Sequence, residues 1–194
     1  MTTPKPILMR DVRDLPVLSL VDFAALCSAR LNGGERLVTL FGRVDEGKGV
    51  VVTAVLLSAT GELSFLRARA EAGERYPSLT VRHPAAHIYE RELWEQTGLQ
   101  PDGHPWLKPV RFEGERQQRT ADYPFFQVRG QEVHEVGVGP IHAGVIEPGH
   151  FRFMCLGEKV HHLEIQLGYQ HRGVEKLLLT RPPMSLTPIV ESIC

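Results

Sequence analysis

Residues 36–70 read RLVTLFGRVDEGKGVVVTAVLLSATGELSFLRARA, and the class of the protein turns on whether this stretch is helical or extended. Three runs rich in β-branched and apolar residues, 36–45, 50–59 and 62–70, are separated by glycine turns at Glu46-Gly47-Lys48-Gly49 and Thr60-Gly61. In the last run Leu63 and Phe65 alternate with polar neighbours. Short β-rich runs joined by tight glycine turns predict an antiparallel meander.

Both flanks carry helical patterns. In SLVDFAALCSARLNGG, Ser19 stands as an N-cap, apolar residues recur with helical period, and Asn32-Gly33-Gly34 ends the run. Cys27 in FAALCSA reads as a buried core thiol. After the meander, PSLTV (77–81) is expected as a short fourth strand. HPAAHIYERELWEQTGL (83–99) is expected as an amphipathic helix stopped by Gly98. His83 and His87 read there as capping or solvent-exposed residues. The fold class expected is α+β: an N-terminal sheet covered on one face by helices over residues 1–115, a linker over 116–132, and a β-hairpin-rich second unit over 133–194.

Composition narrows the functional classes. With a net charge of −1, 42% hydrophobic and 23% charged residues, the chain has no basic nucleic-acid footprint. No run approaches the roughly 18 consecutive apolar residues of a membrane span, and MTTPKPILMRDVRDLP has no signal-peptide core. The expectation is a cytoplasmic chain with no direct membrane span. The three cysteines, Cys27, Cys155 and Cys194, form no Cys-x-x-Cys pair.

In the second unit Pro148-Gly149 marks a tight turn, so IHAGVI (141–146) and HFRFMCL (150–156) are expected to pair as a hairpin. EKVHHLEIQLG adds a third strand, and RGVEKLLL starts a helix that meets Arg181-Pro182-Pro183. Six of the nine histidines lie here: His134, His142, His150, His161, His162 and His171. No His-Glu-x-x-His occurs, and His161 and His162 on a strand point to opposite faces. A histidine-bound metal is not expected.

YERELWEQTGLQPDGHPWLKPVRF, with Glu90-Arg91-Glu92, Gly98 and Gly103-His104-Pro105, resembles the signature of the C-type subunit of proton-pumping NADH:quinone oxidoreductase. GVGPIHAGVIEPGHFRF and LGYQHRGVEKLL resemble the start of the D-type subunit. They look closer still to the large subunit of membrane-bound nickel–iron hydrogenases of the formate hydrogenlyase type, in which both units are fused in this order. The resemblance covers about residues 75–194 and implies the N-terminal part of such a subunit.

The resemblance also implies roles. The large subunit docks on an iron–sulfur small subunit of the B type, which holds a 4Fe-4S cluster, with a Ni-Fe centre or quinone at the interface. His142 would approach that cavity, with His171 and Arg172 beside the cluster and Glu175 relaying protons. A fixed arginine charge tunes a nearby cluster through Coulomb interaction. A carboxylate in a dry interface holds its proton more tightly than in water and exchanges it nearer neutrality. Glu90, Arg91, Glu92 and His104 would serve subunit docking. Cys194 in ESIC occupies the place of the first metal-ligating cysteine, although Ser192 stands where the hydrogenase pattern has arginine. One thiolate cannot hold a binuclear centre, so the expectation is no cofactor held by this chain alone, with Cys194 a ligand only if the chain continues. Residence would be peripheral, on the inner face of the membrane, through other subunits of a membrane-bound complex. The alternative is a non-catalytic docking and assembly module.

Overall fold

A computed structural model describes residues 15–45, 47, 49–111 and 123–192. The chain divides into two compact units, 1–118 and 119–194.

Unit 1 is built on the meander. Strands β2 (Arg36–Asp45), β3 (Gly49–Leu57) and β4 (Leu63–Ala70) pair antiparallel, with Leu40 opposite Ala54 and Ala54 opposite Leu66. A short strand that the sequence pattern did not predict, β1 (Val17–Leu18), adds in parallel to β4. The sheet order is β1-β4-β3-β2. At the β2–β3 turn Gly49 has φ +82, and a Cβ there would collide with the Ala70 carbonyl oxygen. Only glycine fits that approach.

Helix α1 (Leu20–Asn32) begins where expected: Ser19 Oγ accepts the Asp22 N–H at 3.1 Å. Its buried residues Leu20, Phe23, Ala24 and Cys27 follow the i, i+3, i+4, i+7 spacing of one helical stripe. They pack on the even-numbered residues of β3, Val50, Val52, Ala54 and Leu56, with Leu66 and Ala68 of β4. Burial pushes the Cys27 thiol up to about 12, and the negative charge of Glu90 adds to the shift. Cys27 is therefore an inert core residue. Helix α2 (His87–Thr97) follows a single 3-10 turn, Pro84–Ala86, and packs on β2. Gly98 ends it in the left-handed conformation at φ +84, with its N–H on the Trp94 carbonyl.

Of PSLTV only Pro77 is in a strand: it ends β5 (Arg75–Pro77), which pairs in parallel with β6 (Gln100–Asp102). The backbone donors of Leu79 and Thr80 are instead taken by the Glu90 carboxylate, at 2.9 and 3.0 Å. A buried acceptor thus replaces a sheet partner.

Unit 2 holds an antiparallel sheet of β7 (Val133–Val138), β8 (His150–Leu156) and β9 (Lys159–Gln166), in that order. The expected pairing of 141–146 with 150–156 does not form. Strand β8 pairs instead with β7, Val136 opposite Phe153 and Val138 opposite Phe151, and residues 139–149 are the connecting loop. The loop backbone takes positive φ at Gly139, Ala143 and Gly144, which a strand excludes. Helices α3 (Val174–Thr180) and α4 (Leu186–Glu191) follow, α3 stopping before Pro182-Pro183 as expected.

The faces of this sheet are inverted relative to ordinary patterning. The polar residues Arg152, His162, Glu164 and Gln166 share one face, and the segment 123–126 lies over it. The Phe126 N–H donates to Glu164 Oε2 at 2.8 Å, Phe125 packs on His150, and the Arg152 guanidinium sits 4.7 Å from the Phe125 ring centre. The apolar set, Val136, Val138, Leu163 and Ile165, is exposed on the other face. Among the described residues no helix is long and apolar enough to cross a membrane.

Candidate functional site

The loop 139–149 of unit 2 is closed by two histidines, His142 within it and His150 at the start of β8. His142 donates Nε2–H to the Gly149 carbonyl at 2.7 Å, and His150 contacts the Gly139 carbonyl through Nδ1 at 3.3 Å. The His142 ring meets Phe151 edge to face, at 5.4 Å between centres. The Val145 N–H returns to the His142 carbonyl at 3.0 Å. Gly139, at φ +94, sits where a Cβ would lie 2.6 Å from His142 Nε2. The structure therefore gives His142 a definite place: one ring nitrogen ties the loop ends together. The tip presents Ile141 and Val145, each 82% exposed. An exposed apolar tip on a braced loop is suited to contact with another surface.

His171, Arg172 and Glu175 lie together on the turn that enters α3. The His171 N–H closes that turn onto the Gly168 carbonyl at 3.1 Å. Gly173 follows at φ +64, and Glu175 stands in the first turn of the helix, where a negative charge favours the N-terminal dipole. Arg172 is exposed and donates to the Ser192 carbonyl at 2.6 Å, which ties the entry of α3 to the end of α4. Cys194 lies outside the described residues. Among the described residues no three His, Cys, Asp or Glu side chains come together as a metal-ligating group.

The expected docking group of unit 1 splits in two. Glu90 is fully buried and accepts from Ser78 Oγ at 2.7 Å, from the backbone of Leu79 and Thr80, and from Thr80 Oγ1 at 2.5 Å. Arg91 is also buried, with Nε and an Nη donating to the carbonyls of Lys108 and Pro109 at 2.8 and 2.9 Å. They hold the loops on either side of α2. Glu92 keeps accessible surface and pairs with Arg111 at 2.7 Å. His104 is half-buried: it accepts the Trp106 N–H on Nδ1 at 3.0 Å and faces the His87 carbonyl through Nε2 at 3.4 Å. Burial lowers its pKa, as it does for His87, which stacks on Trp106. His83 and His87 are neither side-chain caps nor solvent-exposed as expected: neither helix start has a side-chain cap, both residues are half-buried, and His83 meets Ser28 Oγ at 3.1 Å.

Two further anchors were not predicted from sequence. Glu95 is buried and accepts the N–H groups of Val110 and Arg111, at 2.7 and 2.9 Å. Glu164 is buried beneath Phe126. For Glu95 a signal existed: it stands one helical turn after Arg91 and Glu92 in ERELWE, ahead of a proline-rich loop whose backbone donors need acceptors. For Glu164 none existed beyond its alternation with Leu163 and Ile165.

Residues 18–121 match the family described as respiratory-chain NADH dehydrogenase, 30 Kd subunit. The chain is 36% identical over 137 residues to hydrogenase-4 component G of Escherichia coli (strain K12), covering 60% of this chain and 25% of that protein. It is 35% identical over 175 residues to formate hydrogenlyase subunit 5 of the same organism, covering 76% and 31%. It is 28% identical over 144 residues to the C/D subunit of NADH-quinone oxidoreductase from Aeromonas salmonicida (strain A449), covering 56% and 24%. The chain thus spans less than a third of the length of these curated relatives. With more than half its residues matched, the chain is a member of the respiratory-chain NADH dehydrogenase 30 Kd subunit family.

Proposed function

We propose that this chain is a subunit of a membrane-associated oxidoreductase complex of the hydrogenase or NADH-quinone oxidoreductase kind, docking on an iron–sulfur small subunit at the inner face of the membrane. One observation carries the reading: the likeness to formate hydrogenlyase subunit 5 covers 76% of the chain, more than unit 1 alone can supply. The exposed apolar tip of loop 139–149 supports it, because such a tip is costly in water unless a partner covers it.

In this reading His142 keeps the loop shaped for the interface. Arg172 supplies a permanent positive charge near the partner's 4Fe-4S cluster. Glu175, at the start of α3, accepts and releases a proton. Quinone or a nickel–iron centre belongs to the complete assembly, and the chain alone turns over nothing. The apolar face of β7–β9 favours a second reading, a docking and assembly module without redox residues of its own.

Substitution in the intact complex separates the two. Arg172→Met is expected to lower the reduction potential of the neighbouring cluster by tens of millivolts, because removing a cation disfavours the added electron. Glu175→Gln is expected to slow turnover about tenfold with the potential unchanged. Electron paramagnetic resonance titration and single-turnover rates read these effects. Wild-type values for both variants would leave the docking reading in place.

A further inference from the structure

Loop 139–149 is held from both faces of the unit 2 sheet. Alternation along β8 turns His150 and Phe151 to opposite sides. Phe151 meets the His142 ring, which closes the loop from within. His150 lies on the side that carries Gly137, Arg152, Glu164 and Gln166. It holds the start of the loop at the Gly139 carbonyl, 3.3 Å from Nδ1. A carbonyl only accepts, so Nδ1 carries the proton in this contact. Gly137 leaves room for the ring: a Cβ there would lie 3.0 Å from His150 Cε1.

The same ring is the seat of segment 123–126. Phe125 meets His150 edge to face, at 5.5 Å between centres. Tyr123 flanks Phe125 at 4.7 Å, and the Arg152 guanidinium lies 4.7 Å from its ring centre. Arg152 is itself held by Glu135 of β7. Next along the segment, the Phe126 N–H reaches buried Glu164. His150 thus serves two contacts at once: its ring receives Phe125, and its Nδ1 ties down Gly139. Both contacts are directional, so a ring tilted out of one is tilted out of the other.

We propose that segment 123–126 and loop 139–149 form one coupled conformational element hinged on His150. Seating Phe125 fixes the ring that holds the loop, and opening the loop frees that ring from Phe125. The chain passes from unit 1 into unit 2 just ahead of this segment. The loop is therefore set from the stretch that joins the units, and a partner on the loop tip is felt there in return. Such coupling is reciprocal: each end changes the opening of the other by the same factor. The coupling stands on the geometry of unit 2 alone. Only its use, in presenting Ile141 and Val145 to another subunit, rests on the proposed function.

Amide exchange in the full chain, read by NMR with no partner present, tests it. Each end carries a bonded backbone N–H: Val145 to the His142 carbonyl in the loop, and Phe126 to Glu164 in the segment. Phe125→Ala is expected to speed exchange at Val145 about fivefold, the worth of an aromatic pair. Gly139→Ala should speed exchange at Phe126 by the same factor. In a His150→Ala background, Phe125→Ala should change Val145 by less than about twofold, because the link is already gone. Nitrogen chemical shifts of the His150 ring give a second reading: a proton on Nδ1 in the unaltered chain, moving towards Nε2 in Gly139→Ala. Amides of the central strand β8 are the reference. Were Phe125→Ala to speed them equally, the sheet itself would have opened, and Phe125→Leu, which keeps bulk without the ring, takes its place. Unchanged exchange at either distant amide would overturn the proposal. So would a Phe125 effect that survives in full without His150, or a His150 ring that carries its proton on Nε2 in the unaltered chain. None of these outcomes touches the proposed function, which fails only if no iron–sulfur partner accompanies the chain.

Discussion

Glu90→Ala is expected to lower the melting temperature of unit 1 by about 15 °C. The carboxylate lies in the interior and accepts four hydrogen bonds, two from the backbone of Leu79 and Thr80 and two from Ser78 and Thr80 hydroxyls. Truncation leaves those donors buried without an acceptor, at about 1–3 kcal/mol each before relaxation. A total of about 4 kcal/mol survives partial rehydration, and a domain of this size loses about 4 °C per kcal/mol. Glu90→Gln should fall between, because it keeps one acceptor oxygen and turns an amide against a donor. Gln96→Ala, on the exposed side of the same helix, should shift the transition by less than about 2 °C. Calorimetry of the full chain reads all three. A Glu90→Ala protein melting within about 3 °C of wild type would mean that the 78–80 loop is held by something else.

Gly139→Ala is expected to undo the clasp of loop 139–149. The residue has φ +94, and a Cβ would collide with the Gly149 carbonyl oxygen and press on His142 Nε2, the two atoms that form the clasp. Positive φ costs an L-residue about 1–2 kcal/mol, and displacing a packed backbone adds a similar amount. About 3 kcal/mol taken from the closed loop should speed amide exchange of residues 140–149 about a hundredfold. Gly144→Ala is the control. It too has positive φ, at +72, but nothing lies within 4 Å of its Cβ position, so only the backbone cost applies and exchange should rise about tenfold. Equal exchange in the two variants would show that His142 does not brace the loop.

The meander and both unit 1 helices were legible because local chemistry and tertiary packing agree there. Glycine turns fall between alternating runs, Ser19 caps α1, and Gly98 supplies the left-handed stop of α2. What stayed hidden depends on partners far along the chain. Strand β1 has two residues and exists only because β4 offers an edge. IHAGVI has strand propensity, yet the His142 and Gly149 contact folds it into a loop. Beyond Pro77, PSLTV lost its strand to the Glu90 carboxylate. Charged residues ordinarily lie at the surface, so the burial of Glu90, Arg91, Glu95 and Glu164 could not be seen: their desolvation is offset by backbone groups of distant loops. Of the candidate site, the adjacency of His171, Arg172 and Glu175 was legible from sequence. Their chemical roles rest on resemblance, because the turn into α3 is exposed and takes its meaning from a surface that covers it.

That this chain is a subunit of an oxidoreductase complex built around an iron–sulfur partner is tested most directly by purifying the tagged full chain from membranes of cells that make it naturally. Mass spectrometry would then identify what comes with it, and electron paramagnetic resonance would look for a reducible iron–sulfur signal. A stoichiometric iron–sulfur subunit, carrying a signal that disappears when that subunit is removed, is the expected result. Recovery of the chain alone, or with partners that carry no redox centre, would contradict it.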